Sequence, residues 1–134
     1  MTKSKSKIIK TKYNTPWIEN RADPYVYRHS DGFYYFTASV PEYDRVILRK
    51  SEGLKDLAYA DETIIWEKHE NGIMSEHIWA PEIHHLDGKW YIYFAAGEKE
   101  NAWNIRPYVL ECKGEDPITG EWIERGRMES SDED

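Results

Sequence analysis

The run Tyr25-Val26-Tyr27-Arg28-His29, the turn Ser30-Asp31-Gly32 and the run Phe33-Tyr34-Tyr35-Phe36-Thr37-Ala38-Ser39 follow one another directly. Aromatic and β-branched residues fit a pleated, half-buried surface, and Asp-Gly supplies the backbone freedom of a tight turn. The order predicts an antiparallel hairpin. Working outward, Val46-Ile47-Leu48-Arg49-Lys50 predicts a third strand, closed by Ser51-Glu52-Gly53, and Ile64-Ile65-Trp66 a short fourth.

The pattern then recurs. Ile83-His84-His85-Leu86, Asp87-Gly88 and Lys89-Trp90-Tyr91-Ile92-Tyr93-Phe94-Ala95-Ala96 repeat the hairpin. Tyr108–Cys112 and Glu121–Glu124 supply a third and fourth strand. Ala22 and Ala80 stand 58 positions apart, as do Phe36 and Phe94, and the two Asp-Gly turns are separated by 56. A near-constant offset over four-strand units is an internal repeat, and four antiparallel strands form one blade of a propeller. No window carries the 3.6-residue apolar period of a helical repeat. The expected fold class is therefore all-β: a β-propeller represented by about two four-stranded antiparallel blades. The polar segments Asp56–Thr63, Glu67–Glu76 and Gly97–Asn104 read as loops, with a helical turn at Leu54–Leu57 the lesser alternative.

Composition narrows the function classes. The 134 residues carry net charge −7, and 14 % of them are aromatic, including six Trp and ten Tyr. An acidic chain is poorly suited to neutralising phosphates, so no nucleic-acid partner is expected. No stretch reaches the ~20 apolar residues of a membrane helix, and no membrane partner is expected. The single cysteine, Cys112, excludes an internal disulfide and, set in a strand pattern, reads as a buried inert thiol. Residues 1–14 read as a basic tail and 129–134 as an acidic one, with the ordered domain at 15–128. The apolar content before Lys12 is the pair Ile8-Ile9, too short for a signal peptide, so a cytoplasmic location is the default expectation.

Asp23 precedes Pro24 immediately before the first strand. Proline biases its predecessor toward extended backbone, which would present the carboxylate at the strand mouth. One reading is a turn-initiating Asp-Pro; the other is a general base aimed into a cavity. Trp79, in Ile78-Trp79-Ala80-Pro81-Glu82, falls opposite Arg21 at the offset of 58, and its ring is either core packing or a platform for the apolar face of a sugar. His77, His84 and His85 match no metal-ligand spacing, and adjacent histidines on a strand point to opposite faces. No metal and no cofactor are expected. Phosphate-loop and nucleophile-elbow motifs are absent. Glu115, Asp116, Glu121 and Glu124 flank a turn and read as a solvated hairpin edge.

Taken together, Arg21-Ala22-Asp23-Pro24, the hairpin Asp31–Ser39, Ile78–Glu82 and Asp87–Phe94 resemble the start of glycoside hydrolase family 43. Ile105–Glu111 and Gly120–Ile123 are most similar to its α-L-arabinofuranosidase-type members, and the likeness runs from about Thr15 to Arg127. The resemblance implies a five-bladed β-propeller that hydrolyses arabinose- or xylose-containing saccharides with inversion. It implies Asp23 as the general base, and Trp79 as a wall of the sugar pocket. The loop Val40-Pro41-Glu42-Tyr43-Asp44 is implied as its rim, with Tyr43 as a further substrate-binding residue.

In that family the tuning aspartate comes from the third blade and the general acid from the fourth. Motifs matching those blades are not found, and Glu82 makes a poor substitute. The expectation is thus an N-terminal portion of a glycosidase lacking its acid. The alternative is an inactive chain that at most binds carbohydrate or associates with a partner, for instance another chain supplying the remaining blades.

Overall fold

The computed structural model describes residues 18–128. The tails expected at 1–14 and 129–134 lie outside the described residues. Eight strands occur among them: β1 (Ala22–Arg28), β2 (Tyr34–Ser39), β3 (Arg45–Ser51), β4 (Thr63–Glu67), β5 (Glu76–Leu86), β6 (Lys89–Glu98), β7 (Asn101–Cys112) and β8 (Trp122–Arg127). They form two four-stranded antiparallel sheets, β1-β2-β3-β4 and β5-β6-β7-β8, each in chain order. These are two consecutive meandering blades.

The repeat is visible in the backbone. Asp31-Gly32 and Asp87-Gly88 close the β1–β2 and β5–β6 hairpins, with Gly32 and Gly88 at φ of 93° and 80°. At the strand starts, Asn20 and His77 share φ of 59° and 51°, and Asp23 and Ala80 share 51° and 49°. Each pair is 57 positions apart, and the second member of each blade's pair precedes a proline, Pro24 or Pro81. The bulges between Ala22 and Tyr25 and between Trp79 and Glu82 obey the same offset. Trp79 therefore corresponds to Ala22, and not to Arg21 as the offset of 58 implied. The offset drifts along the repeat, and backbone conformation settles which residues are equivalent.

Between the sheets lies the larger core, where Tyr35, Val46 and Leu48 of the first blade meet Ile78, Ile83, Trp90, Ile92, Phe94 and Leu110 of the second. A fully buried Ile or Leu side chain stabilises by roughly 1.5–3 kcal/mol, so this interface dominates the association of the blades. Trp90 is buried with Tyr27 edge-on at 5.7 Å, and its indole N–H donates to the Glu115 carbonyl at 3.1 Å. The other face of the first sheet is covered by Ile18 and by Leu57.

Three local expectations are corrected. Leu57 is carried by a 3₁₀ turn at Lys55–Tyr59, where a loop was favoured; its buried side chain pins the turn against the sheet. The segment Gly97–Asn104 is a continuation of the β6–β7 hairpin, with Glu98 paired to Asn101. Its charged sequence reads as a loop, but main-chain pairing is indifferent to charges pointing into solvent. Glu124 is more than a solvated edge: it accepts from Trp66 Nε1 at 2.8 Å and contacts His69 Nε2 at 2.7 Å, clipping β8 to the outer strand of the first blade. Burial raises the Glu124 carboxyl, but these hydrogen bonds outweigh it and hold it below the usual range.

Candidate active site

β1 and β5, the first strands of the two blades, start at the same end of the molecule. Asp23 is exposed there in the left-handed backbone region, which Asp tolerates better than most residues. Its carboxylate Oδ2 accepts a long hydrogen bond from the Ser39 hydroxyl, at 3.4 Å. The same Ser39 oxygen accepts from the Ala80 backbone N–H at 2.8 Å. A single buried hydroxyl thus ties together the two equivalent left-handed positions, one per blade, and one of the two carries a carboxylate.

The chain leading into Asp23 is held by charge. Arg21 grips Glu62 through two hydrogen bonds of 3.0 and 2.6 Å, and Arg49 adds a third at 3.1 Å while donating to the carbonyls of Leu57 and Ala58. Burial raises Glu62, but the two guanidinium groups prevail and its carboxyl lies below the ordinary range. Arg21 is raised, chiefly by its hydrogen bond to Glu62.

Aromatic rings flank this mouth. Tyr43 lies at φ 53° in the turn between β2 and β3, and its carbonyl accepts from Ile78 N–H at 3.0 Å, joining this rim to β5. Its ring stands edge-on to Trp79 at 6.0 Å. His77 stacks on Trp79 at 5.1 Å and on Trp103 at 6.2 Å. The structure therefore brings Asp23, Tyr43 and Trp79 to one end, as their order in the sequence suggested, and adds Ser39, His77 and Trp103. The sequence reading weighed His77 only as a metal ligand and did not single out Ser39 or Trp103. Ser39 closed a hairpin run, and Trp103 is an isolated ring beside a charged segment.

Other candidates lie elsewhere. His84 and His85 face opposite ways, His84 toward Tyr25, Tyr93 and Glu82, and His85 toward His29 and Trp90. Among the described residues no group of three or more His, Cys, Asp and Glu is placed to hold a metal ion. Cys112 is buried, and burial pushes its thiol up, away from nucleophilic use. A cavity of about 580 Å³ lies at the opposite ends of the strands, between the 3₁₀ turn and the β7–β8 turn, and includes none of Asp23, Tyr43 or Trp79.

Two consecutive four-stranded antiparallel blades define a β-propeller architecture. The chain belongs to glycosyl hydrolases family 43, whose model matches residues 13–134. It is 56 % identical over 116 residues to an extracellular exo-α-(1→5)-L-arabinofuranosidase of Streptomyces avermitilis, covering 87 % of this chain and 24 % of that protein. It is 50 % identical over 119 residues to a protein of the same name from Streptomyces chartreusis, covering 89 % and 36 %. The crystal structure of α-L-arabinofuranosidase from Lactobacillus brevis superposes with a TM-score of 0.79 at 46 % identity, over 90 % of this chain and 40 % of that one. The chain thus spans between a quarter and two fifths of these relatives. The cytoplasmic expectation is overturned, because both Streptomyces relatives are named extracellular.

Proposed function

We propose that the chain supplies the base-bearing part of an inverting glycosidase site that acts on α-L-arabinofuranosides outside the cell. The carrying observation is Asp23 itself: an exposed carboxylate at the shared mouth of two blades, tethered to Ser39 and set at the end where Tyr43 and Trp79 stand. Asp23 takes a proton from the water that attacks the anomeric carbon, and Trp79 and Tyr43 form part of the sugar pocket. An inverting reaction needs a second carboxyl about 6.5–9.5 Å away to protonate the leaving oxygen. Glu82 is a poor candidate for it, since it faces His84 on β5. The acid is supplied by a further blade.

A specific feature supports that last step, and with it the reading of the chain alone as an association and sugar-binding module. Tyr91 and Tyr93 stack at 6.4 Å on the half-buried far face of the second sheet. In the strand register Tyr91 and Tyr93 answer to Tyr35 and Thr37, which are buried, and Tyr35 packs into the core between the two blades. By the repeat, the Tyr91–Tyr93 face is where the next blade docks.

The test joins this chain to the remaining blades of the Lactobacillus brevis relative and follows hydrolysis of an aryl α-L-arabinofuranoside. Asp23→Asn is expected to lower the rate by about 10²–10⁴, the usual contribution of a positioned acid or base. An unchanged rate rules out Asp23 as the base, and strong turnover by the unjoined chain rules out the need for a further blade.

A further inference from the structure

Trp103 stands at the tip of the β6–β7 hairpin with 82 % of its surface exposed, so it has no place in either core. The tip beneath it is firmly held. Gly97 lets the hairpin close tightly: a Cβ there would sit 2.5 Å from the Ala102 carbonyl oxygen. Ser75, fully buried, donates from its backbone N–H to the Gly97 carbonyl at 3.2 Å, and its hydroxyl accepts from Lys99 N–H at 2.7 Å. Asn104 donates to Glu98 at 3.2 Å across the hairpin, and Gly72 N–H reaches Glu100 at 3.2 Å. An exposed indole on a braced hairpin is a pre-organised contact, since little side-chain or loop entropy remains to be lost on binding.

The ring is also placed in line with the site. Trp103 and His77 are inclined by 29° at 6.2 Å, and His77 and Trp79 by 29° at 5.1 Å. The three form a run of stacked rings from the half-buried Trp79 to the exposed Trp103. Its spacings lie within the range of favourable offset stacking.

We infer that Trp103 is a distal saccharide-binding residue: the run Trp79–His77–Trp103 extends the site beyond the sugar next to Asp23, and Trp103 holds a second or third sugar unit of an arabinan-type oligosaccharide. This rests on the glycoside reading above. It makes the chain a binder of chains over single sugars, with Trp79 serving every ligand and Trp103 only the longer ones.

Isothermal titration calorimetry on the chain with methyl α-L-arabinofuranoside and with α-1,5-arabinotriose separates the two. Trp103→Ala is expected to weaken arabinotriose binding by about three- to tenfold, the range an aromatic contact contributes, and to leave the monosaccharide unchanged. Trp103→Phe should retain most of the trisaccharide affinity. Trp79→Ala should weaken both ligands. Equal losses for both ligands in Trp103→Ala, or none for either, overturn the inference while leaving the glycoside reading intact. A change of sedimentation in Trp103→Ala with unchanged sugar affinity overturns it in favour of a protein contact. Failure of the unaltered chain to bind either sugar overturns this inference and the reading of the chain alone as a sugar-binding module, while the hydrolysis test on the joined protein decides the glycoside reading separately.

Discussion

Substituting Asp23 in two ways separates its conformational role from its chemical one. The residue sits at φ 51° directly before a proline, a combination that proline disfavours. Left-handed backbone carries a penalty of roughly 1–2 kcal/mol for an ordinary L-residue, which Asp and Asn partly offset. The carboxylate is exposed and its hydrogen bond from Ser39 is 3.4 Å long, so that bond contributes less than the ~0.5–1.5 kcal/mol of a well-formed one. Asp23→Asn keeps both the shape and the left-handed tolerance and should change unfolding free energy by no more than about 0.5 kcal/mol. Asp23→Ala loses that tolerance and should fall by about 1 kcal/mol, or roughly 3–6 °C in a domain of this size. Ala80 adopts the same conformation at φ 49° and is exposed, so Ala80→Gly should stabilise by up to about 1 kcal/mol. Urea titration of the four proteins, followed by tryptophan fluorescence, measures all of these. If Asp23→Asn is destabilised as much as Asp23→Ala, the charge holds the fold, and a rate lost in the Asn variant says nothing about acid–base chemistry.

Gly97→Ala should destabilise by about 1–3 kcal/mol, because the added methyl meets the Ala102 carbonyl and backbone must shift; amide exchange in the β6–β7 hairpin locates the damage, and protection left unchanged there refutes the close approach. Stability against pH should show two limbs. His85 is held low, first by burial and then by His29, so the unfolded chain binds its proton before the folded one does; stability should decline as pH falls below about 6.5, and His85→Gln should flatten that limb. Glu62 and Glu124 are held below 4.5 by their hydrogen bonds, so the stability they contribute is present above that pH and lost as pH falls through their folded values. Thermal unfolding from pH 8 to 3 checks both limbs, and a curve flat across the upper one removes the His85 assignment.

Much of this architecture was legible in the residues. Two hairpins marked by Asp-Gly and dense in β-branched and aromatic side chains specify strands, because pleat, ring packing and turn chemistry are local matters. Their recurrence specifies two blades, and the segments around Asp23 and Trp79 carry the family likeness. The loop assigned to Gly97–Asn104 failed for the complementary reason. What makes it a hairpin is a glycine allowing close main-chain approach and a buried serine some twenty residues earlier, neither of which has a local pattern.

The sequence by itself determined the strand content, the repeat and the place of Asp23 at the head of the first blade. Only the tertiary structure decided that Trp79 answers to Ala22, that Ser39 links Asp23 to the second blade, and that His77 stacks between Trp79 and Trp103. Those relations join residues tens of positions apart. They depend on how two sheets pack and where bulges shift the register, and a linear pattern of residue types carries no record of either.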